Sequence, residues 1–302
     1  MPISLEGQVA LVTGAGRGLG RAFALDLARH GAAVLVNDIG GALDGVGSDT
    51  AVAAQVAAEI TAAGGTAAAN YNSVADHEGA YQMVKQAIDT WGRLDIVVSN
   101  AGFLRDQAIH NMREEDWRAI IDTHLTGAYH LMHHAWPIFR QQAYGRVVLV
   151  SSNSGYIGNF GQANYGAAKA GLIGLMNVLK LEGAKYNVMV NCLGPGAATR
   201  MTESLMPEER LRAMAPELVA PAVTFLCSPA CQESGYIIEA SGGTFGRAAI
   251  VRNNRVSIEH ATADDIAARW DEITDLGSAT AYYSFQKTMD EYRQERRTAT
   301  TA

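Results

Sequence analysis

Cysteine is scarce in this chain, and its few thiols form no recognisable metal or disulfide pattern. The 302 residues include only Cys192, Cys227 and Cys231. An odd number of cysteines, with no partners at zinc-ligand spacing, predicts buried free thiols in a reducing compartment. We therefore expect neither a structural disulfide nor a bound metal.

Three further absences narrow the location and the class of partner. No apolar run reaches the roughly 20 residues that a membrane span needs. Residues 1–6 lack the basic start and apolar core of a secretory signal, and the C-terminus carries no peroxisomal or prenylation signal. The net charge of −7 argues against a surface for nucleic acid or anionic membranes. The sequence predicts a cytoplasmic protein that binds neither.

Short apolar runs alternate with helical periodicity along most of the chain. Helices are predicted over 20–30, 49–63, 77–91, 114–142 (with a bend at Pro137), 164–186 and 217–227. Strands are predicted over 9–13, 33–37, 66–71, 94–99, 146–151, 188–193 and 236–240. Continuous apolar strands between helices indicate an α/β fold, a doubly wound Rossmann-type parallel sheet of seven strands.

Four glycines lie where the first predicted strand meets the first helix. Gly14, Gly16, Gly18 and Gly20 fall within seven residues, and three of them fit the spacing GxxxGxG rather than the commoner GxGxxG. Glycine permits a tight turn and a close approach to a pyrophosphate, which the free N–H groups of a helix N-terminus attract. The alternative is a flexible turn, which this density of glycine at a strand-to-helix junction disfavours.

Asp38 ends the second predicted strand, 18 residues after Gly20. A carboxylate at this place accepts hydrogen bonds from the adenosine ribose and repels a 2′-phosphate, so it favours NAD over NADP. Arg17 is the counter-argument, because a guanidinium in the glycine loop could pair with a 2′-phosphate. An ordinary solvated acid at a strand end is the other interpretation of Asp38.

Tyr165 and Lys169 stand four residues apart, a spacing that places both side chains on one face of a helix. A free tyrosine has a pKa of about 10, and a nearby ammonium group favours the phenolate and lowers that pKa. Ser152 ends a predicted strand 13 residues before Tyr165, at the sheet edge where ligands bind. For the tyrosine and lysine alone, a surface pair is the alternative.

The motifs together resemble the short-chain dehydrogenase/reductase family over about residues 5–245. The resemblance implies that Tyr165 is the acid/base on the substrate oxygen, that Lys169 lowers its pKa and holds the nicotinamide ribose, and that Ser152 hydrogen-bonds the reacting oxygen. It rests on the glycine loop, Ser99–Gly102, Ser152, the Tyr165–Lys169 pair and Pro195-Gly196. The predicted cofactor-binding residues are Gly14, Arg17, Gly18, Leu19, Gly20, Asp38, Ser73, Val74, Asn100, Ala101, Gly102, Tyr165, Lys169, Pro195, Gly196 and Thr199.

One position departs from the family pattern. His124 stands where the family usually has an asparagine, in the stretch Asp-Thr-His-Leu-Thr-Gly. The family residue is thought to hold a water through its backbone carbonyl, so that protons pass from the lysine to solvent. That carbonyl survives in His124, and a histidine could also shuttle protons itself. We count His124 among the candidate catalytic residues, with a packed helix histidine as the alternative.

Several stretches are similar to one subgroup, the (3R)-hydroxyacyl-CoA dehydrogenase unit of the multifunctional enzyme of peroxisomal β-oxidation. They include Asn70–Val74, Gly158–Tyr165 and the His124 substitution. The resemblance implies NAD-dependent oxidation of a lipid-like secondary alcohol, first of all (3R)-3-hydroxyacyl-CoA to 3-oxoacyl-CoA. A 17β-type hydroxysteroid is the alternative substrate. A catalytically silent NAD-binding regulatory protein and an NADPH-dependent acyl-carrier-protein reductase are the competing classes.

The remaining expectations concern organisation. Residues 1–246 should form the dinucleotide-binding catalytic domain, and 247–302 a C-terminal extension with helices near 264–275 and 280–295, packed on the same domain or on a partner subunit. The family resemblance implies a homodimer or homotetramer through the long helices. An apolar lid over the substrate is expected within 199–215, from Met201, Leu205, Met206, Leu211 and Met214.

Overall fold

A twisted sheet forms the centre of the molecule. The structure is a computed structural model that describes residues 2–42, 44–197 and 207–281. The strands of the sheet are β1 Val9–Thr13, β2 Ala33–Asn37, β3 Thr66–Asn70, β4 Ile96–Ser99, β5 Gly145–Val150, β6 Val188–Gly196, β7 Ile237–Ser241 and β8 Thr244–Ala248.

The strand order is β3-β2-β1-β4-β5-β6-β7-β8, and β1 to β7 pair in parallel. The chain first winds outwards from β1 to β3 and then crosses back to β4, so β1 and β4 flank the point where the winding reverses. The carboxyl ends of the strands on either side of such a point form a crevice that binds ligands. Here that crevice lies between Thr13 and Ser99.

The predicted fold class is confirmed, and the sheet has one more strand than predicted. β8 was missed because its residues are almost all exposed, so no apolar run marks it. Only Gly242 and Gly243 separate it from β7, with φ of +53° and +77°. A two-residue turn with positive φ at both positions joins neighbouring strands in a hairpin.

Helices cover the sheet, and a π turn interrupts the longest predicted one. The segment predicted as one helix over 114–142 consists of a helix Glu114–Ile121, a π-helical turn Asp122–Thr126 and a helix Gly127–Gln142 that contains Pro137. Single π turns inside helices occur mostly at functional sites. The helices are α1 Gly18–Arg29, α2 Ala51–Ala62, α3 His77–Trp91, α4 Glu114–Ile121, α5 Gly127–Gln142, α6 Ala163–Gly183, α7 Glu208–Ala213 and α8 Ala220–Cys227.

The core lies on the sheet, as its apolar strands predict. All residues of β1, β4 and β5 are buried, because helices cover both faces of a parallel sheet. The predicted free, buried state of Cys192, Cys227 and Cys231 is confirmed. None of the helices in the described ranges is long and apolar enough to cross a bilayer.

The chain divides into two compact units, and the second one begins at Ala248. Within it, β9 Val251–Arg252 pairs with β10 Thr280–Ala281 in antiparallel orientation. The helix predicted near 264–275 is split into α9 Ala263–Ala268 and α10 Trp270–Thr274. The helix predicted near 280–295 is wrong in its first two residues, which form β10, and otherwise lies outside the described residues. Where this unit packs stays a prediction.

Candidate active site

The glycine loop connects β1 to α1 at the winding reversal. Gly14 and Gly18 have φ of +61° and +52°, a conformation that favours glycine. Gly20 is needed for a different reason, since a Cβ there would lie 2.1 Å from the Gly14 carbonyl oxygen. The loop therefore closes tightly on itself at the N-terminus of α1, where the first N–H groups of a helix have no helical partners and can bind an anion.

Asn100 fastens this loop to the neighbouring strand. Its Nδ2 donates to the carbonyl oxygens of Thr13 (3.0 Å) and Gly14 (3.1 Å). In return, the Thr13 hydroxyl accepts from the backbone N–H groups of Asn100 and Ala101 at 3.1 and 3.2 Å. Thr13 was not predicted, although a buried hydroxyl at the end of an apolar strand was a usable signal.

Asp38 lies directly after β2, on the side of the crevice formed by the β2 strand end. One carboxylate oxygen accepts from the Gly16 N–H at 2.9 Å, and the other from the Gly40 N–H at 2.7 Å. The carboxylate is half-buried, and each of its oxygens has a further lone pair that can accept a ribose hydroxyl. Asp38 thus joins the glycine loop to the loop that follows β2.

A cavity of 440 Å³ opens between these walls. Its lining fits a dinucleotide, because it combines a helix N-terminus, a strand-end carboxylate and the Arg17 guanidinium. Arg17 has no ion-pair partner within the described ranges, so its charge is free for a phosphate. The predicted cofactor-binding residues that line the cavity are Gly14, Arg17, Gly18, Leu19, Gly20, Asp38, Ser73, Val74, Asn100, Ala101 and Gly102.

A glycine-rich loop after β2 also lines this cavity, which the sequence did not reveal. Gly45 has a φ of +81°, and a Cβ there would lie 2.6 Å from the Phe103 ring. Arg105 stacks on the same ring at 5.2 Å and donates from Nε to the Asp44 carbonyl at 3.0 Å. Residues after β2 and after β4 therefore close the cavity together.

Tyr165 and Lys169 lie on the first turns of α6, beside the end of β5. The Lys169 Nζ donates to the Val150 carbonyl at 2.6 Å and lies 5.3 Å from the centre of the Tyr165 ring. The Ser151 hydroxyl donates to the Lys169 carbonyl at 2.9 Å, which ties the helix to the strand. The predicted grouping of Ser152, Tyr165 and Lys169 is therefore present at the carboxyl end of β5.

Burial governs the pKa values of this pair. Lys169 is only 3% exposed, and desolvation lowers its pKa to about 7. Burial also raises the pKa of Tyr165, while a hydrogen bond from Ser152 opposes that rise. That Lys169 lowers the pKa of the phenol stays a prediction. Desolvation lowers the pKa of the lysine itself towards neutrality, so the charge that it can offer a phenolate depends on pH in this range.

His124 lies in the π turn, and its ring meets Tyr165 edge-on with the centres 5.2 Å apart. Its Nε2 is 2.9 Å from the Phe103 carbonyl oxygen and 3.2 Å from the Phe103 nitrogen. Its Nδ1 is buried, with no hydrogen-bond partner in the described part of the chain. Burial and the charge on Lys169 hold the pKa of the imidazole well below its usual value. The ring is consequently neutral at pH 7.

A second cavity, of 410 Å³, lies beside Ser154, two residues after Ser152. Ile109 and Phe160 line it and are 68% and 95% exposed. Of the predicted apolar lid, Met201, Leu205 and Met206 lie outside the described residues. Ile109 and Phe160 were missed, because single apolar residues in loops carry no periodic signal.

The last predicted cofactor residues follow β6. Pro195 pairs with Ala240 and Gly196 with Ser241 across the β6–β7 ladder. A Cβ on Gly196 would lie 2.6 Å from the Ser241 hydroxyl, so this glycine allows the two strands to approach closely. Neither residue lines the 440 Å³ cavity, and Thr199 lies outside the described residues.

Asn164 is a further site residue that the sequence analysis missed. It is fully buried, and its Oδ1 accepts from the Tyr165 N–H at 2.8 Å. Its Nδ2 donates to the carbonyl oxygens of Arg105 (3.0 Å) and Asp116 (3.3 Å). Asn164 thereby fixes the start of α6 against α4 and sets the position of the Tyr165 backbone.

A comparison with protein-family models matches residues 8–210 to the short chain dehydrogenase family. The chain is 44% identical over 293 residues to the peroxisomal multifunctional enzyme type 2 of Mus musculus, covering 95% of this chain and 39% of that enzyme. It is 40% identical over 243 residues to a hydroxyacyl-CoA dehydrogenase of Mycobacterium tuberculosis, covering 76% and 75% of the two chains. The predicted resemblance to the family and to this subgroup is confirmed.

The fold also matches a solved structure that contains a nicotinamide cofactor. That structure is a 7α-hydroxysteroid dehydrogenase in complex with NADH and 7-oxo glycochenodeoxycholic acid. It aligns with a TM-score of 0.71 and 28% identity, over 80% of this chain and 95% of that one. The chain spans less than half the length of the mouse multifunctional enzyme, so the activities of that whole enzyme do not transfer to it directly.

Proposed function

The chain belongs to the short chain dehydrogenase family, and on that premise we propose that it oxidises (3R)-3-hydroxyacyl-CoA to 3-oxoacyl-CoA with NAD. The observation that carries the proposal is the cluster of Tyr165, Lys169 and Ser152 at the end of β5. It joins a phenol, a buried amine and a hydroxyl on the side of the sheet where the dinucleotide cavity opens.

Each member of the cluster has a separate task. Tyr165, as the phenolate, takes the proton from the substrate hydroxyl while the alcohol is oxidised. In the reverse direction it returns that proton to the substrate oxygen. Ser152 donates a hydrogen bond to the same oxygen, while the ammonium form of Lys169 favours the phenolate and would hold the nicotinamide ribose. With a pKa of about 7, Lys169 carries a positive charge in part of the molecules at neutral pH. NAD, when bound, would supply the hydride acceptor.

Asp38 supports NAD rather than NADP as the cofactor. Its carboxylate, held by the Gly16 and Gly40 N–H groups, presents a negative charge where a 2′-phosphate would sit. Arg17 lines the same cavity and is the group that could accept that phosphate. We assign Arg17 to the pyrophosphate, because it opens the helix whose N-terminus attracts the phosphates.

The apolar rim of the second cavity supports a lipid-like substrate. Ile109 and Phe160 leave most of their surface in water next to Ser154, and an acyl chain would cover them. The similarity to a hydroxyacyl-CoA dehydrogenase favours the acyl-CoA. The 7-oxo bile acid in the structural relative favours a hydroxysteroid as the second candidate.

His124 belongs to the proposed proton route from Lys169 to solvent. Either its backbone carbonyl or its ring could carry the proton, and the low pKa of the buried ring favours the carbonyl. His124→Asn separates the two routes, because it keeps the carbonyl and removes the imidazole. Turnover unchanged at all pH values supports the carbonyl, whereas a loss that grows towards low buffer concentration supports the ring.

We further propose that the protein is a cytoplasmic homodimer or homotetramer that binds neither nucleic acid nor membranes. The net charge of −7 supports the last two points. The homodimer or homotetramer is supported by the resemblance of α4, α5 and α6 to the long helices of the family. Light scattering tests the assembly, and fractionation of the source cells tests the location, for which the peroxisomal mouse relative offers the competing result.

A substrate and cofactor panel tests the proposed function. Initial rates are measured with (3R)-3-hydroxyacyl-CoAs and 17β-hydroxysteroids, each with NAD⁺ and with NADP⁺. We expect the highest kcat/KM for a (3R)-acyl-CoA with NAD⁺, and the (3S) enantiomer serves as the matched control that is not oxidised. A higher kcat/KM for a steroid selects the second candidate. Binding of NADH without oxidation of any alcohol refutes a catalytic role.

A further inference from the structure

The hydroxyl of Ser152 lies among several oxygen atoms rather than in open solvent. Its Oγ is 3.1 Å from the Asn153 Oδ1 and 3.2 Å from the Ser154 Oγ. The Ser154 N–H donates to the same Oγ at 3.2 Å. All three bonds are long, so the Ser152 proton is free to turn to a substrate oxygen while its Oγ stays in place.

Ser154 is the buried member of this group, with 6% of its surface exposed. Its hydroxyl lies 2.7 Å from the Gln162 Oε1 and 2.7 Å from the Asn159 Nδ2. An amide nitrogen only donates, so Ser154 accepts from Asn159 and must give its proton to Gln162. The short bonds of Ser154 are therefore made to residues other than Ser152.

Asp106 fixes the orientation of the Gln162 amide. The Gln162 Nε2 donates to the Asp106 Oδ2 at 2.7 Å. A carboxylate only accepts, so the amide nitrogen must face Asp106 and the amide oxygen must face Ser154. Asp106 is exposed, which makes this outer bond weaker than the inner ones. The direction of each hydrogen bond from Asp106 inwards follows from the chemistry of the groups.

We propose that Ser154 and Gln162 are positioning residues that keep the Ser152 hydroxyl in one rotamer and leave it as a donor. The inference rests on the proposed function, because it concerns the serine that binds the reacting oxygen. With its own proton committed to Gln162, the Ser154 hydroxyl offers Ser152 only a lone pair. The contact between the two hydroxyls is 3.2 Å long, so a substrate oxygen at a shorter distance can replace Ser154 as the acceptor of the Ser152 proton. We call Asp106, Gln162, Ser154 and Ser152 the serine relay.

Substitutions along the serine relay should reduce turnover in a graded order. We expect Ser154→Ala to lower kcat by about three- to tenfold, the loss of roughly one net hydrogen bond. Gln162→Leu should cost somewhat less, and Asp106→Ala the least, because its bond is exposed. The Kd for NADH should stay unchanged. Asp89→Ala, which removes a surface carboxylate paired with Lys85 on α3, is the matched control and should leave kcat unchanged.

A double-mutant cycle separates positioning from a general structural role. In a Ser152→Ala background, Ser154→Ala and Gln162→Leu should cause no further loss of kcat, because the group that they position is gone. Losses that multiply with that of Ser152→Ala would overturn the proposal. Circular dichroism and the Tm of each variant identify any that fail to fold, and Gln162→Leu then replaces Ser154→Ala as the deciding variant.

Crystal structures give a readout that does not depend on turnover. We expect Ser152 in one rotamer in the unsubstituted protein, and in two or more in the Ser154→Ala and Gln162→Leu variants. A single unchanged rotamer in both variants would contradict the inference, even for a protein whose substrate differs from the one proposed. Failure of the substrate panel with multiple rotamers in the variants would refute the proposed function alone.

Discussion

The two ends of the candidate site, the dinucleotide cavity and the catalytic cluster, differ in the chemical groups that form them. At the dinucleotide cavity, backbone groups of the glycine loop and one half-buried carboxylate form most of the binding surface. At the catalytic end, the working groups are side chains: Lys169 and His124 are almost completely buried, and burial shifts the pKa of Tyr165 and Lys169. The first end depends on shape, and the second on ionisable groups held away from water.

This difference has consequences for stability. Glycines cost conformational entropy, but they leave no charge unsolvated. A buried lysine and a buried histidine cost desolvation energy, which their low pKa values reflect. Active sites commonly trade stability for function in this way. We therefore expect substitutions at the cavity to change cofactor affinity, and substitutions at the catalytic end to change turnover and stability in opposite directions.

The largest effect is expected for Tyr165→Phe. Removing the phenol oxygen abolishes the acid/base, so kcat should fall by roughly 10²–10⁴-fold. The Kd for NADH, measured by fluorescence titration, should change little, because the ring remains. Tyr186→Phe, at a half-buried tyrosine that is hydrogen-bonded to Arg140, is the matched control. Turnover close to that of the unsubstituted enzyme would remove Tyr165 from the mechanism and leave the catalytic end without its acid/base.

Asp38→Ser tests the cavity end. The variant loses a charged acceptor, so NADH should bind about 10- to 100-fold more weakly, in line with a hydrogen bond to a charged group. NADPH should bind more tightly than before, because the repulsion of its 2′-phosphate is gone. The ratio of the two Kd values is the measurement, with Asp44→Ser in the same loop as the control. A ratio that does not move would show that Arg17 rather than Asp38 selects the cofactor.

The sequence predicted the fold well because apolar strands and helix periodicity report burial directly. β1 and β2 were predicted with their observed bounds, and β8 was missed because an exposed hairpin strand has no such pattern. The placement of Ser152, Tyr165 and Lys169 followed from spacing, since helix and strand geometry fix where those residues lie. Contacts between residues far apart in the sequence could not be predicted from local patterns. Asn164 is an example, because its partners Arg105 and Asp116 are 59 and 48 residues away.

The direction of the pKa shift at Tyr165 is another property that the sequence pattern does not predict. A tyrosine and a lysine one helical turn apart suggest mutual attraction, but their burial depends on β5 and the π turn. Desolvation grows with that burial, and it has the largest influence on the pKa of Tyr165. Sequence spacing carries information about neighbours on one element, and none about how much water the rest of the fold excludes.

Gly102→Ala tests the contact that joins the two ends. Gly102 lines the dinucleotide cavity, and a Cβ there would lie 1.9 Å from the His124 Cε1. The imidazole would have to move, so unfolding measured with urea should show a loss of about 1–3 kcal/mol. In a His124→Ala background the same substitution should cost much less, because the ring is absent. Equal costs in both backgrounds would mean that the two ends are independent.

Lys169→Met should stabilise the protein by about 0.5–2 kcal/mol while abolishing efficient turnover. The pKa of Lys169 is about 7 in the folded chain and about 10.4 in an unfolded one, so the unfolded state binds more protons between these values. The lysine therefore destabilises the fold most at and below pH 7, and this penalty shrinks as the pH rises. Urea unfolding of both proteins between about pH 6 and pH 8.5, below the pKa of an unfolded thiol, measures the difference. A stability gain that does not shrink with rising pH would show that Lys169 is charged in the folded enzyme, and that the catalytic end is less isolated from water than the cavity end.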